Sequence, residues 1–302
     1  MRTSRILALT LAGVTAVSLS ACAAPATSTE ADALIHVVAS TNVYGDIAAK
    51  VGGDRVQVSS ILDDPSQDPH SFEANAQVQL DLSKADIVIE NGGGYDDWAD
   101  MLLAGAKNPD AVVLNASDIS GFDQKPSTGE FNEHVFYDFP TIKKVADTLA
   151  DEFSKADPSG TGTFTANAKK FDDALADLEA REATIKARHS GTGVAITEPV
   201  PGYLLEASGL DNVTPAEFSA AVEQGTDVSP AVLAATLATF SSGKAKVLVY
   251  NAQTTGAETE QVLAEAKKDS VPTVPVTETL PAGKDYLGWM TSTLDALESA
   301  LG

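Results

Sequence analysis

Four side chains in this sequence have the types and placement needed to hold a metal ion: His70, His134, Glu198 and Glu278. Two imidazoles and two carboxylates are suitable donors for zinc or manganese. Only four histidines occur in 302 residues, so each can be weighed separately. His70 lies in Gln67-Asp68-Pro69-His70-Ser71-Phe72-Glu73, where Pro69 biases Asp68 towards an extended backbone and the imidazole is presented from a constrained turn. His134 lies in Asn132-Glu133-His134-Val135-Phe136-Tyr137-Asp138, Glu198 follows Val194-Ala195-Ile196-Thr197, and Glu278 follows Val274-Pro275-Val276-Thr277. The four are dispersed, so spacing alone does not separate a metal site from solvated loop carboxylates.

The surrounding elements put these side chains just beyond strands or at loop ends. Val56–Leu62 alternates at period two and reads as a buried strand ahead of His70. Further strands are expected at 34–39, 86–90, 111–114, 193–197, 246–250 and 273–276. Helices are expected at 42–51, 76–84, 98–106, 140–156, 230–240, 257–268 and 284–301. Strands alternating with helices predict an α/β fold with mostly parallel sheets, in which ligands gather at the carboxyl ends of the strands. From Thr161 to Arg188, Phe164, Ala168, Phe171, Leu175, Leu178 and Ile185 recur at three- and four-residue steps. This predicts a helix about 42 Å long, at ~1.5 Å per residue, that reads as a strut between two lobes. The division expected is residues 34–160 for an N-terminal lobe, 161–189 for the connecting helix and 190–302 for a C-terminal lobe.

Residues 1–21 read as a secretory signal, with Arg2 and Arg5 ahead of an apolar stretch from Ile6 to Val17. Leu19-Ser20-Ala21-Cys22 looks like a bacterial lipobox, which implies cleavage before Cys22 and diacylation of its thiol. Cys22 is the single cysteine, so no intramolecular disulfide can form. Residues 22–33 are small and polar, a flexible tether. Beyond the signal, 18 basic side chains face 43 acidic ones. That balance argues against nucleic acid and anionic substrates and suits cations.

The chain resembles the zinc- and manganese-binding solute-binding lipoproteins of bacterial ABC transporters. The resemblance is carried by Val38-Ala39-Ser40-Thr41 with Gly45-Asp46-Ile47, by Val51-Gly52-Gly53-Asp54, and by Asp68-Pro69-His70-Ser71-Phe72-Glu73. It continues through Ala85-Asp86-Ile87-Val88 with Asn91-Gly92, Glu133 to Asp138, and Thr197-Glu198 with Tyr203-Leu204. These run in family order along essentially the whole mature chain. The resemblance implies two lobes joined by one long rigid helix, with the metal bound between them. His70, His134, Glu198 and Glu278 are its implied ligands. Glu278 stands where the family usually has Asp, and Asp285 competes for that role. There is no His-rich loop ahead of His134, which favours manganese over zinc, although zinc should bind an N/O site at least as tightly.

The function implied is capture of zinc or manganese outside the cytoplasm and delivery to a permease and its ATPase. The protein would be a monomer held at the outer face of the cytoplasmic membrane through Cys22. A surface metal buffer or adhesin would share every residue named. A secreted metallohydrolase is the rival from another class. Such a site typically keeps an open water position, whereas four ligands close this one and no His-Glu-x-x-His motif or nucleophile is found. His36, His189, Trp98, Tyr203 and Trp289 read as structural, and Asn91-Gly92-Gly93-Gly94 as a turn.

Overall fold

The computed structural model describes residues 34–64, 72, 76–254 and 256–302. The signal, the tether with Cys22, and His70 itself lie outside the described residues. Among those described, no helix is long and apolar enough to cross a membrane.

Two parallel four-stranded sheets organise the fold. The first contains β1 (Ile35–Thr41), β2 (Val56–Leu62), β3 (Ile87–Glu90) and β4 (Val112–Asn115), in the order β2-β1-β3-β4. Helices α1 (Asn42–Gly52), α2 (Ala76–Leu82), α3 (Asp97–Ala106) and α4 (Ala116–Ser120) accompany it. After α5 (Phe139–Ala156) and α6 (Thr161–His189) the pattern restarts. The second sheet runs β6-β5-β7-β8, from β5 (Gly193–Ile196), β6 (Asp211–Asn212), β7 (Val247–Asn251) and β8 (Thr273–Val276). Its helices are α7 (Gly202–Ala207), α8 (Ala216–Glu223), α9 (Pro230–Ser241), α10 (Ala257–Lys268) and α11 (Tyr286–Leu301).

Helix starts follow local chemistry. Asp138 caps α5 by accepting from the Thr141 amide, with Pro140 in the first turn, where its missing N–H costs no intrahelical bond. Asp285 caps α11 by accepting from Gly288. The long helix α6 spans about 43 Å at ~1.5 Å per residue and buries Phe164, Ala168, Phe171, Leu175, Leu178 and Ile185. It packs against α5 and α1 from the first half of the chain and against α11 and α7 from the second.

One hydrophobic core runs through both halves, from Ile35 and Val37 on β1 to Val274 on β8 and Leu297 on α11. Trp289 of α11 lies edge-on to Tyr137 with centroids 5.4 Å apart, and stacks near Phe136 at 6.2 Å. The Tyr286 hydroxyl donates to the Phe136 carbonyl at 2.7 Å, and the Tyr286 amide donates to Asp46 at 2.9 Å. The last helix is therefore anchored on residues from the first half of the chain.

Two expectations change. β2 is an edge strand whose residues alternate between half-buried and exposed from Val56 to Ser60, ahead of half-buried Ile61 and buried Leu62; its alternation marks one covered face, not burial on both. The elements α4, α7, α8 and β6 are not foreseen from sequence because they are too short to show a period.

A core continuous through both sheets should unfold as one unit. Circular dichroism and tryptophan fluorescence in urea are expected to report coincident transitions. Trp289→Ala should lower stability by about 3–5 kcal/mol, whereas Lys169→Ala, on the exposed face of α6, should stay within about 0.5 kcal/mol.

Candidate metal centre

The segment bearing His134 is suspended between the ends of strands. Just past β3, the Asp96 carboxylate accepts from the amides of Asn91 and Gly92 at 2.8 and 2.7 Å. Gly92 has φ +69°, and a Cβ there would meet the Asn115 side chain at 2.0 Å, so the turn requires glycine. Asn91 is fixed by the Tyr44 hydroxyl, 2.5 Å from its Oδ1, and its Nδ2 donates to the Glu133 carbonyl at 2.9 Å. From the second half, the Tyr203 hydroxyl donates to the Asn132 carbonyl at 2.7 Å, and Asn132 Nδ2 donates to the Pro199 carbonyl at 3.0 Å.

That last bond orients the Asn132 amide and leaves its Oδ1 facing His134. Oδ1 accepts from the His134 backbone amide at 3.1 Å and lies 2.8 Å from Nδ1. A proton on Nδ1 satisfies this contact and leaves the Nε2 lone pair directed at the centre, the second-sphere arrangement that orients a metal-binding imidazole. Tyr95 and Phe136 wall the ring edge-on, each with its centroid 5.7 Å away. His134 is fully buried.

Three carboxylates approach from the second half. Glu198 lies two residues beyond β5, and Glu278 two beyond β8; both are buried. The register Asn251↔Val276 brings Asn251, the last residue of β7, between them. Its Nδ2 donates to Glu198 Oε2 and, at 2.7 Å, to Glu278 Oε1. β5 and β7 flank the point where strand order reverses in this sheet, the crevice where open α/β sheets take ligands. Glu278 Oε2 is 3.6 Å from His134 Nε2, and Glu223 Oε1, from the last residue of α8, is 3.4 Å from the same nitrogen. The Glu278 loop is held by the opposite half. The Tyr137 hydroxyl donates to the Thr277 carbonyl at 2.8 Å, and the Tyr95 hydroxyl to the Glu278 carbonyl at 3.3 Å.

Electrostatics follow from this crowding. Burial pushes the Glu198 carboxyl up to about 8, against the Asn251 hydrogen bond, with Glu223 and Glu278 pushing further. Burial disfavours a charged His134, but the hydrogen bond to Glu278 and the Glu223 and Glu133 charges outweigh it and raise its pKa. A site that holds protons in this way is one that a cation can take over.

His134 and Glu278 thus come together directly, and Glu198 joins them through Asn251. Asp285 does not: it caps α11, and Lys50 pairs with it at 2.7 Å on the surface. Phe72, two residues beyond His70, packs on Trp98 with centroids 4.6 Å apart. His36 is exposed near the start of β1, and His189 ends α6. Sequence reasoning missed Glu223 and Asn251. Glu223 follows no strand and ends a helix of eight residues. Asn251 carries an amide rather than a metal-seeking group; its position at the end of the apolar run Val247-Leu248-Val249-Tyr250 was the available signal.

Two parallel sheets on one core, with donors converging from loops and element ends of both halves, define a two-lobed solute-binding fold. The chain belongs to the family described as ZnuA, zinc-uptake complex component A, periplasmic, which matches residues 37–300. Among relatives, it is 26% identical over 203 residues to the manganese-binding lipoprotein MntA of Halalkalibacterium halodurans, covering 66% of this chain and 67% of that one. It is 28% identical over 164 residues to MntA of Bacillus subtilis, covering 54% and 53%, so the match spans about half the length of that relative. Among solved structures, the periplasmic zinc-binding protein TroA of Treponema pallidum superposes with a TM-score of 0.75 at 17% identity, over 89% of this chain and 99% of that one. The solute-binding protein FpvC of Pseudomonas aeruginosa, in complex with Mn2+, gives 0.73 at 22% identity, over 89% and 98%. The family's description is that of a component of zinc uptake, and ScaA of Streptococcus gordonii, 25% identical over 218 residues that cover 68% of this chain and 69% of that one, is described as a manganese ABC transporter substrate-binding lipoprotein.

The raised carboxyls set a sign for stability against pH. Burial also lifts Glu90 to about 7 and Glu182 to about 8, from an ordinary 4.5. Groups that keep protons in the folded chain but release them near 4.5 when unfolded stabilise fully below 4.5. That contribution is lost as pH rises through 7 to 8. The melting temperature of chelator-stripped protein is therefore expected to fall between pH 5 and 8.5, and Glu198→Gln should flatten the fall.

Proposed function

We propose that this chain captures a divalent transition metal, zinc or manganese, and delivers it to a permease with its ATPase. The ligands in this reading are His70, His134, Glu198 and Glu278. The observation that carries it is the buried approach of the His134 imidazole to the Glu278 carboxylate. Two such groups from opposite halves, walled from water, form a poor home for protons alone and a good one for a cation. The three-domain organisation of the mature chain, lobe, connecting helix 161–189 and lobe, belongs to the same proposal. So do secretion through residues 1–21, anchorage at Cys22 to the outer face of the membrane, and a monomeric state.

Hydrogen bonds from Tyr137, Tyr95, Tyr203 and Tyr286 cross between the halves. They support a protein that shifts its lobes only slightly when it loads. Loading must also displace protons, because neutral imidazole and ionised carboxylate are the binding forms. With the Glu198 carboxyl pushed up to about 8 by burial and the His134 pKa raised by its acidic neighbours, affinity should rise with pH up to about 8.

Soluble protein lacking residues 1–22, stripped with chelator, is to be titrated with Zn2+ and Mn2+ against competing chelators. One ion per chain is expected, with proton release seen as a buffer-dependent heat. His70→Ala, His134→Ala and Glu278→Ala should each weaken binding by at least about 100-fold, beyond the cost of an outer-sphere change. Asp285→Ala should leave it unchanged. Failure of the unaltered protein to bind either ion stoichiometrically would sink the proposal.

A further inference from the structure

We propose that Glu223 is a further metal ligand in this centre, and that it tilts selectivity towards manganese. The inference rests on the metal-binding reading above and deepens it. With metal–ligand bonds of about 2.0–2.2 Å, adjacent donors around a tetrahedral ion lie about 3.3–3.6 Å apart. Glu223 Oε1 and Glu278 Oε2 stand 3.4 and 3.6 Å from His134 Nε2. Each carboxylate therefore keeps from His134 Nε2 the separation of two ligands on one ion, and distance to the imidazole does not favour Glu278 over Glu223. Ligand atoms of Glu133, His134 and Glu223 also lie within 4.8 Å of one another.

Two features support the role. Glu223 ends α8, where the carbonyl end of the helix carries partial negative charge that favours a cation. It also lines a cleft of about 410 Å³ beside the centre, together with Glu130, Glu133 and Glu217. No Lys or Arg is among the described residues lining that cleft. Glu223 thus belongs both to the path a cation would follow inward and to the group that surrounds His134.

The selectivity follows from donor count and type. Among the described residues Glu223 adds a carboxylate to a centre whose other donors are the His134 imidazole and the Glu198 and Glu278 carboxylates, so oxygen outnumbers nitrogen. Zinc settles into four-coordinate tetrahedral sites, whereas oxygen-rich, higher-coordinate sites suit manganese. Removing Glu223 should leave a donor set that zinc still fills and that manganese fills poorly.

The test compares wild type, Glu223→Gln and Glu223→Asp, each stripped and titrated with Mn2+ and Zn2+ by chelator competition. Glu223→Gln is expected to weaken Mn2+ by about 10–100-fold and Zn2+ by less than about threefold, with Glu223→Asp recovering part of the Mn2+ affinity. Loading with Co2+ gives an independent readout: the weak visible absorption of a five- or six-coordinate ion in wild type, and the stronger bands of a tetrahedral one in Glu223→Gln. Circular dichroism of the metal-free variants establishes that they fold. Unchanged affinity for both ions, equal losses for both, or identical Co2+ spectra would overturn the inference. Absence of binding by wild type would instead be failure of the metal-binding reading itself.

Discussion

Glu198 and Glu278 are held side by side, out of water, on the amide of Asn251. Like charges at this range in a low-dielectric interior repel strongly, so their company is tolerable only with protons or with a cation. Much of the architecture arranges this discomfort. The parallel register of β7 with β5 and β8 sets Asn251, the last residue of β7, between the segments that leave β5 and β8. The Asn132 and Asn91 networks bring His134 to the same spot from the other half of the chain. Packing supplies the energy that keeps them there, through a core that does not stop at the boundary between sheets.

The fold was largely legible because its signals are local. Apolar runs of four to seven residues, glycine-terminated helices and the long periodic stretch of α6 each announce one element, and their alternation announces parallel sheets. Val56–Leu62 shows where such reading fails: alternation reveals that one face is covered but not whether a neighbour strand lies on each side. Position within the sheet is a tertiary property.

The centre was legible in part, for a similar reason. Glu198 and Glu278 follow apolar strands, so the rule about strand ends finds them. His134 was conspicuous because histidine is scarce, and the family resemblance gave it a role. Glu223 carries no such mark. It ends a short helix in a stretch of alanine, serine and glutamine, and only the packing of α8 brings it to His134. Asp285 stands apart from His134, its carboxylate accepting from the amide of Gly288 and pairing with Lys50, commitments that sequence proximity to Glu278 could not reveal.

The bonds that seat the Glu278 loop and α11 join residues very far apart along the chain: Tyr137 to Thr277, Tyr95 to Glu278, Asn42 to Leu280 and Asp46 to Tyr286. Such long closures form late and slowly, because chain entropy must be lost before they contribute. During synthesis the first half can collapse around β1 and β3, yet His134 cannot meet Glu278 until the segment from β8 to α11 arrives. Assembly of the His134–Glu278 contact therefore waits for α11, and a polypeptide cut short before that helix would keep most of its strands while lacking the anchor that sets Glu278 in place.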